Sequence, residues 1–330
     1  VRILITGING FAGRHLAAHL AQAAPDADVH GTVFTADRDG LTAHLDAPVH
    51  LHTLDLRDEA DVTALFETVR PDHVYHLAAW AEVGHSFDRP WATIENNVRA
   101  QANLIFACIR LNMRPRTLVV TSGEVYGGCA DDGTPPNEDT PFQPANPYSV
   151  SKITQDMLAL QYTLSHGLPI IRARPFNHIG PGQCGGFVAP DFALQIAEIE
   201  AGLREPILHV GDLSAERDFT DVRDMVRAYA LLMKHGQPGQ AYNIASGETV
   251  RVQHVLDTLI ALSRAEVTVR YDAARFRPAA VRRSTGDITR LVAATGWTPR
   301  IALSTTLRDL LDWMRARIAP PDEQADGERA

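Results

Sequence analysis

Residues 1–13 read VRILITGINGFAG, and this opening restricts the possible folds more than any other stretch of the chain. A β-branched run ends at Thr6, glycines follow at positions 7, 10 and 13, and a helical pattern begins at Phe11. Glycines so placed between a strand and a helix divide three duties: a tight turn, close approach of backbone to a pyrophosphate, and close packing of helix on strand. The helix that follows aims its unpaired amides and positive dipole end at an anion. The spacing is G-x-x-G-x-x-G, and its place after a strand and before a helix points to dinucleotide binding.

The next 160 residues repeat that alternation. Strand-like runs at Val29–Phe34, Val49–Leu54, His73–Leu77, Thr117–Thr121 and Pro169–Ala173 alternate with helical patterns at Phe11–Ala23, Asp58–Val69, Trp91–Leu111 and Tyr148–His166. Regular β–α–β alternation predicts an α/β fold, a doubly wound Rossmann-type parallel sheet with helices on both faces. After Arg174 prolines and glycines break the rhythm, and a smaller α/β lobe is expected. The division expected is residues 1–174 as the dinucleotide-binding domain, with 221–245 returning to it, and 175–220 with 246–318 as a second lobe. Residues 319–330 carry five charges, two prolines and no large apolar side chain, and read as a flexible tail.

Composition narrows the function. A net charge of −9 argues against a nucleic-acid binder, which needs a basic face. No run approaches 18 apolar residues, so no membrane span is expected. No signal-peptide layout opens the chain, and a cytoplasmic location is the expectation. Cys108, Cys129 and Cys184 form neither a disulfide framework nor a metal-ligand spacing. The 14 histidines, His50/His52 and His73/His76 among them, lack a supporting cluster and read as core or surface residues, with no metal site. Trp91, Trp297 and Trp313 read as packing residues.

Whether the cofactor carries a 2′-phosphate is the open point. An NAD site places an Asp or Glu at the end of the second strand for the ribose 2′-hydroxyl. Here that strand ends Gly31-Thr-Val-Phe-Thr35, with no acid before Asp37, and Arg38 follows. This favours NADP and leaves NAD open. Asp55, after the third strand, is a candidate for the adenine edge.

Tyr148 and Lys152 stand four apart in Y-S-V-S-K, which stacks them on one helix face. A cation beside a phenol favours the phenolate, so Tyr148 is a candidate acid–base for a hydroxyl or ketone. Ser122 in TSGEVYG follows a buried-looking strand and can hydrogen-bond a reacting oxygen; Glu124 is a carboxylate beside the same chemistry. An intact Ser122–Tyr148–Lys152 set counts against a binding protein that kept the fold and lost catalysis.

TGINGFAG, LDLRD (54–58), HLAA (76–79), NNV (96–98), SGEVYG (122–127), YSVSK and PFNHIGPGQ (175–183) together resemble the extended short-chain dehydrogenase/reductases that act on nucleotide sugars, over residues 1–316. Within that family the chain is most similar to the reductases of GDP-4-keto-6-deoxy hexoses, then to the GDP-mannose 4,6-dehydratases. The resemblance implies cofactor contacts at Gly7, Asn9, Gly10, Phe11, Ala12, Gly13, Arg38, Asp55, Leu56, Leu77, Ala78, Ala79, Asn97, Tyr148, Lys152, Pro175, Asn177 and His178. It implies substrate contacts at Ser122, Glu124, Asn177, Val188, Arg217 and Arg277, the arginines on the diphosphate, with Tyr148 as proton donor to the C4 oxygen. A GDP-linked 4-keto-6-deoxy sugar, NADP or NAD, and a homodimer through the helices at 91–111 and 148–166 follow. Leu104, Ile105, Ile109, Leu158 and Leu160 give those helices more apolar surface than one sheet needs.

Reductase and dehydratase separate at one position. A 4,6-dehydratase needs an acid–base set that removes the C5 proton and expels water from C6, in that family a Thr, then Asp or Ser, then Glu. Here those positions read Ser122, Gly123 and Glu124. Gly123 has no side chain to protonate a leaving hydroxyl, which favours reduction, while Glu124 keeps the dehydratase, or a 4-epimerase, as the alternative.

Overall fold

Every strand-like run in the first 175 residues joins one parallel sheet. The computed structural model describes residues 1–35, 48–275 and 281–318; Arg38, Arg277 and the tail at 319–330 lie outside the described residues. The chain begins β1 (Arg2–Thr6), α1 (Phe11–Ala23), β2 (Asp28–Val33), β3 (His50–Thr53), α2 (Glu59–Val69), β4 (His73–His76) and α3 (Val83–Asp88). It continues α4 (Pro90–Arg110), β5 (Arg116–Val120), α5 (Pro147–His166), β6 (Ile170–Pro175), β7 (Asn177–Ile179), α6 (Val188–Glu200), β8 (Ile207–Val210) and β9 (Glu216–Asp221). The remainder is α7 (Val222–His235), β10 (Ala241–Ile244), β11 (Thr249–Arg251), α8 (Val252–Leu262), β12 (Thr268–Tyr271), β13 (Arg283–Ser284), α9 (Thr289–Thr295) and α10 (Leu303–Ile318).

The main sheet has seven parallel strands in the order β10-β6-β5-β4-β1-β2-β3. The chain winds outward from β1 through β2 and β3, then restarts on the other side with β4. That reversal opens a crevice at the carboxyl ends of β1 and β4. One face of the sheet buries Ile3, Ile5, Val29 and Ile171 against Leu16 and Leu20 of α1 and Met225, Tyr229 and Leu232 of α7. The other buries Leu4, Val74 and Val119 against Phe66 of α2, Leu104 and Ile105 of α4, and Ala159 of α5. Apolar runs buried on both faces are what a parallel sheet requires. Residues 222–244 therefore lie in the layers of the first sheet, although they come late in the chain.

The second lobe is built on β9, which pairs with β7, β11 and β13, and on the β8–β12 pair. Phe192 and Ile196 of α6, Leu256 of α8 and Leu310 of α10 close over Leu208 and Phe219. Its strands of two to six residues mix polar and apolar positions, so they lack a readable period. Among the described residues no helix is long and apolar enough to cross a membrane.

Two packing expectations change. Leu104 and Ile105 are 4% and 5% exposed and face the sheet, and Leu158 packs on the same core; of the residues expected outward Ile109 is exposed, and Phe106, Val150, Met157 and Leu164 join it. Trp91, expected to pack, stands 73% exposed at the start of α4, whereas Trp297 is fully buried and donates its indole N–H to the Asp224 carbonyl at 3.0 Å. His30, His50 and His52 stack along β2 and β3, and Asp28 supplies an acid at 3.2–3.3 Å from His30 and His50 that the sequence did not assign to them. Among the described residues no set of three or more His, Cys, Asp or Glu is arranged to hold a metal ion.

Candidate active site

The glycine loop divides its work as its spacing requires. Gly7 adopts φ +67°, and a Cβ there would stand 3.0 Å from the Ala78 Cα, so the turn and the contact with the loop after β4 both need glycine. A Cβ on Gly13 would come within 2.8 Å of the Ile8 Cα, which keeps α1 close to the strand end. Gly10 is the N-cap of α1, and neither a capping side chain nor an acid in the first turn competes for its amides. An uncapped N-terminus of this kind suits a pyrophosphate.

Thr6 fixes the crevice at its centre. Its hydroxyl accepts from the Leu77 and Ala78 amides, both at 3.1 Å, and bonds the His76 Nδ1 at 2.9 Å. Burial, with the Lys152 charge adding to it, pulls the His76 imidazole down to about 3, so it stays neutral and accepts from Thr6. Leu77, Ala78 and Ala79 thereby lie beside Gly7. Asn97 serves the same loop: it is fully buried, accepts from the Trp80 amide at 2.8 Å, and donates to the Trp80 carbonyl and the Ser151 hydroxyl. Its side chain is committed to the protein and acts on the cleft by fixing that loop. Leu56 is buried behind it.

Above the glycine loop, the Phe11 and His178 rings stack with centroids 5.8 Å apart. Arg14 donates to the Gly182 carbonyl at 2.9 Å, and His15 Nε2 bonds the Pro181 carbonyl at 2.7 Å. Burial lowers the pKa of both His15 and His178. The start of α1, with Phe11 and Ala12, is thus held to the segment that begins after Pro175 and carries Asn177 and His178, and Asn9 is half-buried on the glycine loop. Among the described residues the buried Asn177 Nδ2 has no partner, which fits a ligand oxygen there. Asp55 carries a partner that the sequence reading did not assign to it. Its carboxylate, awaited at the adenine edge, holds the Arg57 guanidinium at 2.6–3.0 Å and the Arg57 amide at 2.9 Å.

The proton-transfer residues meet across the ends of β5 and α5. Asn146 caps α5 by accepting from the Ser149 amide at 2.7 Å, Pro147 takes the first helical position, and Gly167 ends the helix in the left-handed region. Tyr148 and Lys152 therefore sit in the first two turns, 7% and 3% exposed. Ser122 follows β5, accepts from the Glu124 amide at 3.1 Å, and hydrogen-bonds the Tyr148 phenol.

Burial works against the expected phenolate in this arrangement. Burial raises the Tyr148 pKa above the ordinary tyrosine value; the Ser122 bond opposes that, and the Glu124 charge adds to it. Lys152 turns its Nζ onto the Val120 carbonyl at 3.0 Å, 5.8 Å from the Tyr148 ring centroid, and burial pulls it down to about 7. An amine whose own charge burial disfavours, and which is bound to a carbonyl, offsets little of the phenol's desolvation.

Glu124 is half-buried, with Asn146 Nδ2 at 3.4 Å from its carboxylate. Gly123 faces Phe176: a Cβ there would lie 2.6 Å from the ring. Arg217 donates to the Glu216 and Arg282 carbonyls at 2.8 and 3.2 Å, and among the described residues no carboxylate comes within ion-pair distance. Val188 opens α6 and packs on the core of the second lobe.

Sequence reading missed the support beneath this site. Asp156, one turn beyond Lys152 on the inward face of α5, accepts from Arg172 at 2.6 Å and from Arg174 at 2.8 and 2.9 Å. Arg174 also donates to the Tyr126 hydroxyl at 2.7 Å, which in turn donates to Asn243 at 2.8 Å. The network carries the 122–127 loop from below. Its signal in the sequence is a charge at an inward helical position, which a buried chain tolerates only when paired.

Known proteins fit this geometry. Residues 4–310 match the family described as GDP-mannose 4,6 dehydratase. The GDP-6-deoxy-D-mannose reductase of Pseudomonas aeruginosa is 36% identical, over 94% of this chain and 97% of its own. A GDP-mannose 4,6-dehydratase of Vibrio cholerae is 29% identical, over 94% of this chain and 92% of its own. Among solved structures, RMD from Pseudomonas aeruginosa complexed with NADPH superposes with a TM-score of 0.83 at 34% identity, covering 96% of this chain and 99% of that one. This chain belongs to the GDP-mannose 4,6-dehydratase family of extended short-chain dehydrogenase/reductases.

Proposed function

We propose that this protein reduces the C4 ketone of a GDP-4-keto-6-deoxy hexose with NADPH, giving a GDP-6-deoxy sugar such as GDP-D-rhamnose. The observation that carries the reading is the Ser122–Tyr148–Lys152 set with Gly123 pressed against Phe176: proton delivery is complete, and the position a water-expelling acid would occupy is filled. The similarity to the P. aeruginosa reductase and to its NADPH complex supports both substrate and cofactor.

When bound, NADPH supplies the hydride; the protein supplies the proton and the geometry. Tyr148 is held as a phenol by burial, which is the form a reductase needs at neutral pH. As the ketone oxygen gains charge its basicity rises above that of the phenol, and the Tyr148 proton passes to it. Ser122 turns its one hydroxyl proton from that phenol to the same oxygen and fixes its direction. Lys152, now on the Val120 carbonyl, would hold the nicotinamide ribose. Arg217, whose guanidinium rests only on carbonyls among the described residues, and the unpartnered Asn177 amide take the substrate diphosphate.

The dinucleotide occupies residues 1–174 with 221–245, and the sugar nucleotide occupies 175–220 with 246–318. The protein works in the cytoplasm as a homodimer joined through α4 and α5. Glu124 supports a second reading, a 4,6-dehydratase in which it removes the C5 proton. The two separate in one assay: absorbance at 340 nm with NADPH and GDP-4-keto-6-deoxymannose, beside GDP-mannose with NADP⁺. Loss of absorbance with the keto sugar is the expected result. Tyr148→Phe abolishes it while nucleotide binding persists; keto sugar formed from GDP-mannose instead establishes the dehydratase.

A further inference from the structure

The adenosine end of the cleft holds a cation that the glycine motif does not predict. β2 ends at Val33, and Phe34 stands where a site for the unphosphorylated cofactor would place its ribose-binding acid. Phe34 is 65% exposed, and the Arg57 guanidinium carbon lies 5.9 Å from its ring centroid. The Leu54 amide donates to the Val33 carbonyl at 3.1 Å, so the ends of β2 and β3, and with them Phe34 and Arg57, are held in register.

Arg57 is also fixed in orientation. Asp55 accepts from Nε at 3.0 Å and from Nη2 at 2.6 Å, which occupies one edge of the guanidinium. Among the described residues Nη1, on the opposite edge, has no partner. A guanidinium held by one edge and seated on an aromatic face presents its other edge for a second bidentate contact, and a phosphate is the group that matches it. The pair matters electrostatically as well. Asp55 alone would repel a dianion at this corner, and Arg57 both cancels that charge and supplies the donors.

We propose that Arg57, held by Asp55 and seated on Phe34, binds the 2′-phosphate of NADPH and sets the preference for it over NADH. The inference rests on the NADPH-dependent reading above. Calorimetric titration of the full chain with 2′,5′-ADP and with 5′-AMP, which differ by that phosphate alone, tests both separately from turnover. The wild type binds 2′,5′-ADP more tightly. Arg57→Gln weakens it by about 10- to 100-fold and leaves 5′-AMP within about twofold, while Arg57→Lys retains part of the preference. If the wild type prefers 2′,5′-ADP and Arg57→Gln keeps that preference, the inference fails and the NADPH reading stands. If Arg57→Gln weakens both ligands equally, Arg57 supports the adenosine and the inference again fails. No preference in the wild type removes the NADPH reading, and the inference with it.

Discussion

Burial of Lys152 makes the active site a stability cost with a defined pH window. Its ordinary value of 10.5 falls to about 7 in the folded chain. Below about pH 7 folded and unfolded chains both carry the ammonium, and the folded one bears its full desolvation. Between about 7 and 10.5 the unfolded chain binds the extra proton, so stability rises with pH across that window. Lys152→Met removes the buried amine and strands the Val120 carbonyl. At about 1.4 kcal/mol for each tenfold loss of proton affinity, less the cost of the stranded carbonyl, it stabilises the protein by about 1–3 kcal/mol near pH 6 while turnover disappears. Melting temperatures at pH 6 and pH 9 check this: the gain is larger at pH 6, and an unchanged or lower value there contradicts the burial argument. Lys152 is legible in the sequence as Tyr148's partner because the two share a helix face. Its lowered charge is not, because desolvation comes from residues that fold over it from elsewhere.

At the scale of elements, the turn after β5 is shaped by the residue that joins β6 to β7. Phe176 is 5% exposed, stacks on Tyr126 with centroids 6.1 Å apart, and lies against the Cα faces of both Gly123 and Gly286. Gly123 keeps an ordinary backbone conformation, so the constraint is space alone. Gly123→Ala places a methyl 2.6 Å from the ring and destabilises the fold by about 1–3 kcal/mol; adding Phe176→Leu recovers most of it. Urea unfolding measures both, and a single variant as stable as the parent contradicts the packing. Here the reach of sequence reading is clear. The glycine loop, SGEVYG and YSVSK are each local, so the centre of the site and the strands that carry it can be read directly. Phe176 beneath Gly123, and Asp156 beneath Arg174, are contacts between distant segments, and no local period encodes them. Asp55 and Arg57 lie in one short motif, yet read as independent surface charges until Phe34 is placed beside them.

Across the whole molecule, α4 and α5 leave one face with no cover from the described residues. Phe106 and Ile109 on one helix, with Val150, Met157 and Leu164 on the other, are each 38% exposed or more. Val150, Met157 and Leu164 fall at helical spacing on one stripe of α5, as a surface that meets another helix does. Sedimentation at micromolar concentration is expected to give a dimer, and Met157→Glu with Leu164→Glu a monomer; a monomeric wild type excludes this interface. The opposite side of the protein is fastened differently. Through Arg14, His15 and Phe11, α1 grips the 178–182 segment, which belongs to the second lobe. That corner is pinned rather than hinged: the lobes cannot swing apart about it without breaking all three contacts. A substitution that loosens it, such as Phe11→Ala, is therefore felt on both sides of the contact at once, by the glycine loop and by the strand that carries His178.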